Sequence, residues 1–207
     1  TFAILKHNNA CGIAIDNNVY EAWKKALAGD PISAFGGILI TNQELNSKTA
    51  ESINKLFFEI IISPKFSTKA FDILKAKKNR IILELKSQNK ANNKQYRSIL
   101  NGILAQENDI LIDSEEILEK ITKLKPSKSQ VEDLLFASII CKHTKSNAIV
   151  LVKNKQLIGI GCGQTSRVDA LKQAIKKAKN FNFNLENSVM ASDAFFPFPD
   201  CIELAAK

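Results

Sequence analysis

Short apolar runs alternate with segments of helical period along most of this chain, and glycine or proline separates one kind from the next. That alternation constrains the fold more than any other feature, because strands that alternate with helices favour an α/β architecture over a helical bundle or a β-sandwich. Phe2–Leu5 reads as a first strand, ending at Lys6 and His7. Residues 19–28 have helical periodicity and are closed by Gly29 and Pro31. Gly37–Thr41 reads as a strand, 44–56 as an amphipathic helix, and Phe57–Ile62 as a buried strand stopped by Pro64. A helix over 67–76 and a strand at Arg80–Leu85 follow, then a polar surface loop at 86–95 and one further strand at Ser98–Ala105. Pro126 marks the best boundary, dividing a first unit, 1–126, from a second, 127–207. Beyond it the pattern predicts a helix over 129–142, a hairpin of 147–152 and 156–161 turned by Asn154-Lys155, and a helix over 167–179. The expected class is α/β, with mixed, partly parallel sheets flanked by helices.

Composition excludes several functions. Lys and Arg outnumber Asp and Glu by 29 to 21, but the lysines are dispersed over helical faces such as Lys172, Lys176, Lys177 and Lys179. Dispersed lysine without interleaved aromatics reads as solvated surface, so no nucleic-acid partner is expected. No apolar run reaches the roughly 20 residues of a membrane span, and Thr1–Leu5 lacks the basic start of a secretory signal, so a cytoplasmic location is expected. The four cysteines, at 11, 141, 162 and 201, form no Cys-x-x-Cys pair, and only His7 and His143 could join them, so no metal site is expected. Cys11 and Cys162, each beside glycine, read as small packing residues, with a catalytic thiol as the competing reading.

Three polar clusters invite chemistry. Lys6-His7, followed by Asn8-Asn9-Ala10-Cys11-Gly12, joins a fixed positive charge to a group that exchanges protons near neutrality. A surface lysine beside a capping histidine is the plainer alternative. The Asp30–Gly37 segment places paired glycines between helix and strand, where they serve either a tight turn or close approach to a ligand. It is not a phosphate-binding Walker loop, because no Gly-Lys-Ser/Thr follows. Lys145-Ser146-Asn147 precedes the second-unit hairpin, and Gly159-Ile160-Gly161-Cys162-Gly163-Gln164 closes it, a glycine-rich stretch whose backbone can approach a ligand closely; the glycine spacing is wrong for a dinucleotide fingerprint. Ser166 and Asp169 resemble a capping box, which puts Arg167 at a helix N-terminus, a natural position for an anion. Ser192–Asp200 holds three phenylalanines and two prolines, either an apolar wall for a planar heterocycle or a core-packing loop.

In this order, the segments Leu5–Gly12, Asp30–Gly37, Phe57-Phe58-Glu59, Lys77-Lys78-Asn79, Lys145–Val150, Gly159–Arg167 and Ser192–Phe198 resemble the aminoimidazole carboxamide ribonucleotide (AICAR) transformylase family over essentially the whole chain. The resemblance implies two cytidine-deaminase-like subdomains without the deaminase zinc. It implies transfer of a formyl group from 10-formyltetrahydrofolate, a cosubstrate, to the 5-amino group of AICAR. By the same resemblance Lys6 and His7 supply electrostatic and proton-transfer groups, and Asn147 orients the reacting amine or formyl oxygen. Gly37, Phe195, Pro197 and Asp200 belong to the substrate pockets, with Arg167 and Val168 near the folate. The resemblance further implies a homodimer in the full-length enzyme. Neither a preceding cyclohydrolase domain nor a following glycine-rich strand–helix unit falls within 1–207, so an internal fragment is expected, with a non-catalytic nucleotide-binding or assembly module as the alternative function.

Overall fold

A computed structural model describes residues 1–86 and 93–206. Its centre is an eight-stranded mixed sheet in the order β10-β8-β9-β2-β1-β3-β4-β5. The strands are β1 (Phe2–Lys6), β2 (Asn9–Ala14), β3 (Gly37–Thr41), β4 (Phe58–Ser63), β5 (Ile81–Glu84), β8 (Ile149–Lys153), β9 (Gln156–Gly161) and β10 (Val189–Ser192). Only β3, β4 and β5 run parallel; the pairs β1/β2, β1/β3, β8/β9, β10/β8 and β2/β9 are antiparallel. A separate hairpin is made of β6 (Lys94–Ile99) and β7 (Gly102–Glu107).

The helices form where caps and apolar spacing coincide. In α1 (Val19–Gly29), the Asn18 side chain accepts the Glu21 N–H at 2.9 Å, and Val19, Ala22, Trp23 and Ala26 are buried at one-turn spacing. With α2 (Ser47–Ile53) and α3 (Thr68–Lys75), α1 packs a core of Phe2, Ile4, Leu39, Phe58 and Ile61. Trp23 lies edge-on to Phe2 at 5.2 Å and donates its indole N–H to Ser52 Oγ at 2.9 Å, so its one polar atom is satisfied. Further along the chain, α4 (Lys128–Lys142) starts from a capping box of Ser127 and Gln130 and sets Phe136, Ala137 and Ile140 against Val150, Val152 and Val189. A second helix, α5 (Arg167–Asn180), packs Ala170, Leu171 and Ala174 against Ile149, Leu151 and Ile158.

Topologically the chain repeats one order of elements. Hairpin β1–β2 leads into α1 and then β3 on the β1 edge; hairpin β8–β9 leads into α5 and then β10 on the β8 edge. Asn154 and Lys155, with φ of 53° and 56°, form the expected turn of β8–β9. Buried Asp133 of α4 accepts their N–H groups at 2.8 and 2.7 Å, which fixes that turn.

Three expectations change. Ser98–Ala105 is not one strand: the chain reverses at Leu100-Asn101, with Leu100 at φ 44°, and Asn101-Gly102 is the turn signal inside that apolar run. Most of the polar stretch 86–95 lies outside the described residues, while Lys94 and Gln95 already belong to β6. Gly159 and Gly161 were expected to bring backbone close to a ligand; they admit a helix instead. A Cβ at Gly161 would stand 1.8 Å from the Ala170 carbonyl oxygen, and one at Gly159 2.4 Å from that of Ala174. The same device recurs in β2, where a Cβ at Gly12 would meet the Ala26 carbonyl oxygen at 1.8 Å.

Candidate active site

Lys6 ends β1 and His7-Asn8 form the tight turn into β2, both with positive φ (52° and 63°), the sign pattern of a type I′ hairpin turn. This turn presents the exposed His7 side chain to solvent. Lys6 Nζ donates to the Phe35 carbonyl at 2.7 Å, so the ammonium is held by the Asp30–Gly37 segment. The Phe35 ring packs at 5.0 Å against Phe57, and both remain largely exposed.

Asn9 ties this turn to the segment that precedes β8. Its amide donates to the His7 carbonyl at 3.1 Å and its Oδ1 accepts the Lys145 N–H at 3.2 Å, a contact across 136 residues. From Lys145 the chain runs beside the turn that follows β9: Gly163 N–H donates to the Lys145 carbonyl at 2.8 Å, and Asn147 N–H to that of Gln164 at 3.2 Å. The Ser146–Asn147 peptide is cis. The Asn147 side chain is oriented at both ends, donating to the Gln164 carbonyl at 3.0 Å and accepting Arg167 Nη1 at 2.6 Å.

Arg167 opens α5 behind the N-cap Ser166, whose Oγ accepts the Asp169 N–H at 3.1 Å, as the sequence implied. Its guanidinium also faces Asp193 at 3.4 Å, with side chains 11% and 16% exposed. Asp193 follows β10, accepts the Ala148 N–H at 2.9 Å, and takes a short hydrogen bond from the Ser146 hydroxyl. Burial pushes its carboxyl upward, but Ser146, Ala148 and Arg167 together outweigh that and hold it below the usual aspartate value. The result is a charged brace beneath Asn147, built from β8, β10 and the start of α5.

The thiols are poor nucleophiles. Burial raises the pKa of Cys11 and Cys162, and pushes Cys141 up to about 12, with Asp193 adding to the rise. Cys11 and Cys141 donate to backbone carbonyls of Ser33 and Ala148, as packing residues do.

Asn9 thus links the Lys6-His7 turn to Lys145, two residues before Asn147, and Asn147 meets Arg167; Phe195 adjoins Arg167, whose Nε donates to the Ala194 carbonyl at 3.5 Å. Phe195 is 81% exposed. Gly37 opens β3 and is buried; a Cβ there would meet the Ala34 carbonyl oxygen at 2.9 Å and the Leu5 carbonyl oxygen at 3.3 Å. Val168 turns inward to the apolar cluster of α5. Exposed Pro197 lies in the loop before a short helix, α6 (Asp200–Ala205), and Asp200 begins that helix, accepting the Cys201 N–H at 2.7 Å. Sequence reasoning missed Asn9, Ser146 and Asp193 as organisers. A carboxylate placed just after a strand was the available signal for Asp193.

The family profile described as AICARFT/IMPCHase bienzyme matches residues 1–177. The chain is 59% identical over 207 residues to the bifunctional purine biosynthesis protein PurH of Bacteroides thetaiotaomicron, covering 100% of this chain and 41% of that protein. It is 47% identical over 206 residues to the protein of the same name from Persephonella marina, and 45% identical over 205 residues to that from Aquifex aeolicus; each match covers 99% of this chain and 40% of the relative. The chain therefore spans about two-fifths of the length of these relatives.

Proposed function

Because this chain belongs to the AICARFT/IMPCHase bienzyme family, we propose that it carries the formyl-transfer chemistry of purine biosynthesis, moving the formyl group of 10-formyltetrahydrofolate to the 5-amino group of AICAR. The observation that carries the reading is the Asn9 bridge, which holds the Lys6-His7 turn against the segment bearing Asn147. On this reading two segments distant in sequence supply a proton acceptor, a cation and an oriented amide to one reaction.

The AICAR amine is a weak nucleophile, because its lone pair is delocalised toward the ring and carboxamide. Catalysis depends on holding it against the formyl carbon, removing its proton and stabilising the oxyanion. The amine nitrogen bonds to the formyl carbon while the carbonyl pair moves onto oxygen. His7 accepts the amine proton, and the ammonium of Lys6 with the Asn147 amide stabilises the oxyanion. Collapse restores the carbonyl and breaks the bond to folate nitrogen, which takes up a proton as tetrahydrofolate leaves. Arg167 and Phe195 serve the folate and nucleotide pockets, with Gly37, Val168, Pro197 and Asp200 at their margins.

The division at 126/127 belongs to the same reading, supported by the repeated hairpin–helix–strand order. So does a cytoplasmic homodimer. The accessible surface of 13536 Å² exceeds the about 9,600 Å² expected of a compact 22.9 kDa chain. Tyr96, Ile103 and Leu104 of the β6–β7 hairpin stand exposed, and Ile38, Ile40, Ile60 and Ile62 of the sheet are only half-buried. Among the described residues no helix is long and apolar enough to cross a membrane. The test is transfer of label from formyl-labelled 10-formyltetrahydrofolate to AICAR by the intact gene product. Labelled formyl-AICAR is expected; AICAR binding without transfer would leave only a non-catalytic nucleotide-binding module.

A further inference from the structure

The Asp30–Gly37 segment is fixed at one end by a charge pair that the chemistry above does not use. Asp30 follows α1 and is 2% exposed. Its Oδ2 takes a short contact from Lys177 Nζ of α5, and its Oδ1 accepts the Ser33 N–H at 2.9 Å. From there the segment is tightly folded. Ala34 N–H donates to the Asp30 carbonyl at 3.1 Å, Gly37 N–H to the Ala34 carbonyl at 3.0 Å, and Gly36 N–H to the Phe57 carbonyl at 2.9 Å. Its product is one carbonyl, that of Phe35, placed 2.7 Å from Lys6 Nζ.

We infer that the Lys177–Asp30 pair positions Lys6, with Lys177 and Asp30 acting as positioning residues that never touch substrate. The inference rests on the proposed role of Lys6. Its physical logic lies in α5. This helix carries Arg167 at its first residue and Lys177 about 15 Å further along its axis. One rigid rod therefore sets both the guanidinium beside Asn147 and, through Asp30 and the Phe35 carbonyl, the ammonium beside His7. A bulge in β1/β2 at Ile4/Leu5 turns Cys11 toward the same segment, where its thiol donates to the Ser33 carbonyl at 3.7 Å. Thiol and carboxylate together leave the segment little freedom. A buried ion pair is weak evidence for stability, since replacing both partners is often neutral. Loss of placement, by contrast, shows directly in rate, where a displacement near 1 Å costs on the order of a hundredfold.

The test uses the intact gene product in the formyl-transfer assay, with Lys6→Ala, Lys177→Met, Lys177→Arg, the paired variant Asp30→Asn/Lys177→Met, and Lys6→Ala/Lys177→Met. The paired variant keeps an acceptor for Ser33 and leaves no charge unpaired, so it stays testable if Lys177→Met fails to fold. In the paired variant the expected result is a kcat lowered about tenfold to a hundredfold with the KM for AICAR nearly unchanged. The melting temperature should stay close to that of the starting protein, and Lys177→Arg should restore most of the rate. Combined with Lys6→Ala, loss of Lys177 should add nothing, because both act through one ammonium. Unchanged kcat in the paired variant, or rate losses that multiply on the Lys6→Ala background, would overturn the inference. Full turnover in Lys6→Ala alone would instead overturn the role of Lys6 on which it rests.

Discussion

Replacing Asp193 with asparagine removes one charge and almost no volume, so it isolates the electrostatic part of the brace beneath Asn147. The carboxylate accepts the Ala148 N–H at 2.9 Å and the Ser146 hydroxyl, and faces Arg167 at 3.4 Å. Asparagine retains an acceptor for Ala148 but leaves Arg167, whose side chain is 11% exposed, without its counter-charge. Charge-assisted hydrogen bonds contribute about 1.5–3 kcal/mol, and breaking a fully buried pair costs about 3–5 kcal/mol. This pair is not fully sealed from water, so Asp193→Asn should destabilise by about 2 kcal/mol at pH 7, or about 4–8 °C in melting temperature. The pH dependence has a definite sign. The folded carboxyl lies below the ordinary aspartate value, with burial the largest opposing cause. Its contribution is therefore fully present above about pH 4, the unfolded value, and is lost as pH falls through the folded one. Urea unfolding of both proteins at pH 7 and near pH 3 should give a gap that closes in acid. A gap of equal size at both pH values, or none at pH 7, would refute the electrostatic account.

Gly161→Ala should cost about 3 kcal/mol, because the new methyl meets the Ala170 carbonyl at 1.8 Å and forces α5 off the sheet; Gly102→Ala, which meets nothing nearer than 3.9 Å, should leave thermal melting unchanged. With an aromatic disulfide reagent at pH 8, the half-buried Cys162 should react first, and Cys11, Cys141 and Cys201 only on unfolding. Early modification of Cys141 would contradict a thiol pushed up to about 12.

The sequence made the local structure legible where a single short-range signal decides it. Asn18 ahead of a Val19/Ala22/Trp23/Ala26 stripe is a helix start, and Asn154-Lys155 between apolar runs is a turn. The β6–β7 hairpin was misread because its turn falls inside an apolar run, where Leu100 takes a positive φ that leucine rarely adopts. The glycines of β9 were read as room for a ligand, since no local signal says that a helix returning from residue 167 onward will need that room. Of the candidate site, the residues proposed to carry chemistry lie in polar clusters that the sequence shows, and family resemblance ordered them. What joins them was not. Asn9 meets Lys145 across 136 residues, and Asp30 meets Lys177 across 147, contacts that only the sheet order brings about.

Turnover set against binding for His7→Ala in the intact gene product tests the central claim most directly. On the proposed mechanism the imidazole takes the amine proton and does not grip the nucleotide, so kcat for formyl transfer should fall about a hundredfold to ten-thousandfold. AICAR affinity by calorimetry should change less than threefold. Turnover within threefold of the starting protein, or loss of AICAR binding in step with loss of rate, would contradict the account.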